Sequence, residues 1–303
     1  MLSRRALLAG VPLWAVAGCA LIPPASAPTP IAAPDPSVPG HAALYELATA
    51  AKTALDAPLT APQAELVTWV RSVLDDQFPA VSLATAAPAP SATPTSLPPA
   101  SEPLGMLGQA LSSAATSFTA QALDRSTARP LVWASMAAWS VATGADLPTA
   151  QARREPARGV RLPAPQEPAE AIRDAVSAAH AARYGLEVAA GAPGLTEEEQ
   201  RSLRARLDAW SGLAEALSAG LATATTSPAP APPWYDVERP ADATAGRALA
   251  ARVQAAALPI LGRTIAHGPA EVRPALITAL GDAAADVPRW GGLLERWPGL
   301  PAT

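Results

Sequence analysis

His180, Tyr184 and Glu187 stand at i, i+4 and i+7 of one Ala-rich run, and His41 and Tyr45 repeat the first step of that spacing near the start of the chain. Residues at these intervals share one face of a helix. An imidazole, a phenol and a carboxylate on one face can bind a metal or line a polar pocket. Two readings follow. In the first, His41 and His180 meet across a pseudo-twofold axis between two similar halves and build a shared pocket or an atypical metal site. In the second, each His hydrogen-bonds locally while each Tyr packs at the edge of the core. The third histidine, His267, precedes Gly268-Pro269 and reads as a residue of a helix C-terminus. The chain has no phosphate-cradling glycine loop, zinc-binding pair, nucleophile elbow or Cys-His arrangement. No catalytic residue is assigned, and a non-catalytic role is expected.

The elements that would position these residues are helices. Residues 41–56 carry Leu44, Leu47, Ala51 and Leu55 at steps of three and four. Thr60-Ala-Pro62-Gln63 has the form of a capping box and opens a second helix through Trp69, Val73 and Phe78. Residues 79–103 are dense in Pro, Ala, Ser and Thr and read as a long connection. Ser101 is placed to cap a third helix through Leu107, Leu111, Phe118 and Leu123; Arg129-Pro130 opens a fourth, which Gly144 closes. The second half follows the same order. Pro168 opens a helix that stops at Gly191 and Pro193, and Thr196-Glu-Glu-Glu199 is a full capping box. A Pro-rich crossover with Trp234 and Tyr235 leads to a helix kinked at Pro259, and Arg273-Pro274 starts the last.

Three landmarks recur in the same order: His-Ala-Ala-x-Tyr at 41 and 180, Ala-Pro with a capping box at 57–63 and 192–199, and Arg-Pro at 129 and 273. The expected fold is therefore all-α, a tandem repeat of two four-helix bundles with a long Pro-rich middle crossover in each. The expected domains are an export signal at 1–18, a tether at 19–40, a degenerate bundle at 41–148, a linker at 149–168 and a second bundle at 169–303.

The first residues supply an address. Arg4 and Arg5 precede an apolar run through Ala17 that is too short to span a bilayer, a signal of the twin-arginine kind. Val16-Ala17-Gly18-Cys19 is similar to the lipobox of bacterial lipoproteins, and Cys19 is the only cysteine. Lipid on Cys19 is expected to hold the protein to the outer face of the cytoplasmic membrane. The formal charge is −4, and loss of the two signal arginines makes it −6. Lys52 is the only lysine. Nucleic acid and anionic lipid, which select clustered cations, are not expected partners; an envelope protein or a small molecule is. Trp234, Tyr235, Trp290 and Trp297 are candidates for an aromatic wall against such a molecule.

His180-Ala-Ala-Arg-Tyr184-Gly185, the capped helix after it, the Pro-rich crossover and Trp290-Gly-Gly-Leu-Leu-Glu-Arg-Trp297-Pro298-Gly299-Leu300 together resemble a ferritin-like domain of unknown function found in actinobacterial exported proteins. The resemblance covers about residues 167–301 and implies a ferritin-like bundle. Such bundles often hold two iron ions through a Glu-x-x-His step on two helices. Here His41, His180 and His267 have Val38, Ser177 and Thr264 at that position. No conventional cofactor is expected, and an atypical metal site around His41 and His180 is the alternative.

Overall fold

The computed structural model describes residues 40–84, 102–157, 159–223 and 235–301. The expectations for Arg4, Arg5, Cys19, the tether, Ser101 and Trp234 lie outside the described residues. Eight α-helices carry the fold among those described: α1 His41–Leu55, α2 Ala61–Ala84, α3 Pro103–Leu123, α4 Pro130–Asp146, α5 Pro168–Ala190, α6 Glu197–Thr223, α7 Ala243–His267 and α8 Arg273–Arg289. A 3-10 turn, Ala270–Val272, leads into α8. No described helix is long and apolar enough to cross a membrane.

Local chemistry sets most helix starts. The Thr196 backbone N–H donates to Glu199 Oε2 at 2.8 Å while the Glu199 N–H donates to Thr196 Oγ1 at 3.2 Å, a complete capping box. At α2 the Thr60 N–H donates to Gln63 Oε1 at 3.0 Å. Asp242 caps α7 by accepting from the Ala245 N–H at 2.8 Å. Proline in the first turn starts α3, α4, α5 and α8.

Each half closes a ring of four. α1 packs on α2 and α3, and α4 packs on α2 and α3; α5, α6, α7 and α8 pair in the same way. The short turns 56–60, 124–129, 191–196 and 268–272 make their flanking helices antiparallel neighbours. The long connections join α2 to α3 and α6 to α7, which lie diagonally across their rings. The two rings meet through α4 and α8, the fourth helix of each, as a two-fold relation requires. α4 is therefore the central helix, with 14 of its 17 residues buried. A helix apolar on every face suits only that place.

Several boundaries differ from the sequence expectation. α2 does not stop at Phe78 but continues through Pro79 to Ala84. Pro79 lies on the exposed face, and Ala80 and Val81 beyond it are buried. Gly144 does not close α4; the helix runs on to Asp146, and the chain turns at Ala150, whose φ is +52°.

Residues 149–168 are more than a linker between separate bodies. Within them β1, Arg153–Arg154, pairs in parallel with β2, Leu293–Leu294. The Glu155 N–H donates to the Leu294 carbonyl at 3.0 Å, and Trp69 Nε1–H of α2 donates to the Glu155 carbonyl at 2.9 Å. Arg296, beyond β2, reaches α2 of the other ring. Its guanidinium lies 3.2 Å from Asp76 Oδ2 and donates to Ser72 Oγ at 2.9 and 3.0 Å, while its backbone N–H donates to Glu155 Oε2 at 2.9 Å. Arg296 and Asp76 are each only 3 % exposed, so this is a buried charge pair with several hydrogen bonds around it.

Candidate functional site

Leu44, Leu47, Ala48, Ala50, Ala51 and Ala54 form the buried face of α1, and Ala175, Ala179, Ala182, Leu186 and Ala189 lie on that of α5. The His-Ala-Ala-x-Tyr copies, 139 apart, start at the first residue of α1 and in the middle of α5. The capping boxes and the Arg-Pro steps do open equivalent helices.

The proposed stripe is split. His41, the first residue of α1, is half-buried with its ring 6.1 Å edge-on from Phe78 of α2. Tyr45 is exposed, above a shallow cleft with Lys52 and Arg71. His180 is half-buried in the middle of α5, Tyr184 packs 5.3 Å from Tyr235, and Glu187 is exposed. The histidine helices α1 and α5 are not among the helix pairs that pack extensively; the rings join through α4 and α8. Trp290 and Trp297 are 5 % and 1 % exposed and fill the core instead of forming an open wall. His267 ends α7 with Nε2 buried and unbonded. Among the described residues, no three His, Cys, Asp or Glu side chains group as a metal would need.

The second ring has a different polar centre. Trp210 Nε1–H of α6 donates to Gln254 Oε1 of α7 at 3.2 Å, and Gln254 Nε2–H donates to Asp286 Oδ2 of α8 at 3.0 Å. Arg206 of α6 donates from Nε to the same Asp286 oxygen at 2.7 Å and from Nη1 to Asp282 Oδ2 at 2.7 Å. Gln254 is fully buried and Asp286 is 5 % exposed. Burial pushes the Asp286 carboxyl above its ordinary range, against the pull of the Arg206 guanidinium beside it. The guanidinium supplies the compensating positive charge that a cation supplies in a metal-binding bundle. Beside this chain an apolar slot of about 360 Å³ opens between α6 and α8, the loosest side of the ring, with Ala209, Leu213 and Ala279 on its walls.

The first ring is polar without charge at its centre. Gln77 of α2 is fully buried with neither side-chain polar atom bonded, and Ser135, Trp139 and Thr143 on α4 each bury one unbonded polar atom. The sequence signal for both centres was a polar residue at a core-stripe position: Gln77 between Leu74 and Ala80, Arg206 between Leu203 and Trp210, and Asp286 beside Val287.

Comparison of the chain with protein-family models, curated proteins and solved structures gave no match.

Proposed function

We propose that this chain is a lipid-anchored cell-envelope protein with a non-catalytic binding or scaffolding role, built on two ferritin-like bundles. The ring order and the diagonal crossovers support the ferritin-like layout. The observation that carries the non-catalytic reading is the Arg206–Asp286–Gln254 chain. It spends the inward carboxylate of the second ring on a guanidinium and an amide, so that carboxylate is already satisfied. Lipid on Cys19 anchors the protein to the outer face of the cytoplasmic membrane, and the partner is an envelope protein or a small molecule.

Two measurements test this reading. Metal analysis of the full chain, purified without a metal-binding tag, is expected to give far less than one ion per chain. Near-stoichiometric iron, manganese or zinc that falls in His41→Ala or His180→Ala would replace this reading with an atypical metal protein. Cys19→Ala is expected to leave the membrane fraction; if it stays there as fully as wild type, the anchor is wrong.

A further inference from the structure

The solvent face of an amphipathic helix ordinarily carries charge, and α3 is an exception. None of its 21 residues is Asp, Glu, Lys, Arg or His. The other helices on the outside each expose at least one charge: Lys52 on α1, Glu65 on α2, Arg183 on α5, Arg204 on α6, Arg252 on α7 and Arg289 on α8. α3 packs against α1 and α4, and its remaining side presents Gly105, Gln109, Ser112, Ser113, Thr116 and Ala120 to solvent. Depletion of charge is the compositional mark of the centre of a protein interface.

The neighbouring surface continues this face. Between α3 and α4 lies a groove of about 610 Å³ with Ser112, Ala115, Thr116, Thr119 and Val141 on its walls. Among the described residues, no charged side chain lines it. Val141, on the otherwise buried α4, is 42 % exposed, and Leu123 at the end of α3 is 38 % exposed.

Charge and size both select the occupant. In a two-fold contact each patch meets its own image, so a charge near the axis faces its like. The molecule carries a formal charge of −4, and α3 is the outer helix on which two copies meet without that repulsion. A helix of 21 residues is about 31 Å long. With the groove beside it the strip is about 16 Å wide, so two copies cover about 1,000 Å² together, the lower bound for a specific interface. The small side chains of α3 let two such helices approach closely, and Val141 of each copy adds apolar area beside them.

We propose that this chain forms a two-fold dimer through α3 and the α3–α4 groove. An interface of this size lies at the weak end, and association at micromolar concentration is expected. The dimer goes beyond the role proposed above and depends on neither lipid nor metal.

Sedimentation velocity of the full chain in density-matched detergent tests the proposal. The expected result is a monomer at low concentration that becomes a dimer as concentration rises through the micromolar range. Ser112 and Thr116 are both exposed and lie one turn apart near the middle of α3, so charges placed there leave the core intact. Ser112→Glu with Thr116→Glu, and Ser112→Lys with Thr116→Lys, are each expected to weaken self-association about tenfold or more. The melting temperature of the monomer is expected to change little, as for other surface substitutions. Mixed in equal amounts, the acidic and basic variants are expected to associate with each other, because opposite charges then meet across the axis. A head-to-tail contact would not show that rescue. A monomer at every concentration, which would leave the face to a different protein, undiminished association of the charged variants, or no rescue on mixing would overturn the proposal.

Discussion

Arg206 and Gln254 both donate to one oxygen of Asp286, whose carboxyl burial pushes above its ordinary range against the pull of the guanidinium. Arg206→Met removes the guanidinium and is expected to cost about 3–5 kcal/mol in urea unfolding, the usual effect of breaking a buried pair from one side. Replacing both partners, Arg206→Met with Asp286→Leu, is expected to recover most of that loss. Glu199 behaves differently. A hydrogen bond from Arg247, and then the Thr196 N–H, hold its carboxyl at about 2, below its ordinary 4.5. Its folded value lies below its unfolded one, so its contribution is complete above pH 4.5 and is lost as pH falls toward 2. Glu199→Gln is expected to flatten the dependence of melting temperature on pH within that window. The capping role of Glu199 was legible because Thr196 and Glu199 are local in sequence. The Arg206–Asp286 pair was not, since it joins residues 80 positions apart and only packing reveals which helices face each other. His41 and His180 drew attention by residue type, but their helices α1 and α5 are not among the pairs that pack extensively.

Helix identity was readable wherever a start signal and a stripe agreed, as in α5 and α6. Ends were harder. Gly144 carries a stop signal, yet α4 continues past it to Asp146, and the turn falls at Ala150. A non-glycine residue in the left-handed region costs about 1–2 kcal/mol. Ala150→Gly is therefore expected to raise stability by about 1 kcal/mol in thermal or chemical unfolding. Gly262 shows the opposite constraint. A Cβ there would collide with the Gly299 carbonyl, where the segment after β2 crosses α7 with Gly299 at φ +84°. Gly262→Ala is expected to cost about 1–3 kcal/mol, the range for overpacking, and to loosen the segment that carries Trp297. Nothing in the periodicity of α7 announces this crossing, because the partner backbone lies 37 residues downstream.

At the scale of the whole molecule, the all-α character was legible, while the contacts between the halves were not. Sequence patterns report which face of a helix is apolar, but they do not say whether that face meets its own bundle or the next. Here α4 meets α8, β1 pairs with β2, and Arg296 is buried against Asp76. Calorimetry is expected to show one unfolding transition for both rings. Arg296→Met is expected to lower it by about 3–5 kcal/mol, although the substitution lies in the second half and Asp76 in the first. The same pair bears on how the protein is made. Asp76 leaves the ribosome 220 residues before the arginine it is buried against, and domains ordinarily fold in the order of their synthesis. The first ring thus waits for the end of the second before its own charge pair can close. A chain cut short during translation leaves Asp76 without the arginine it is buried against.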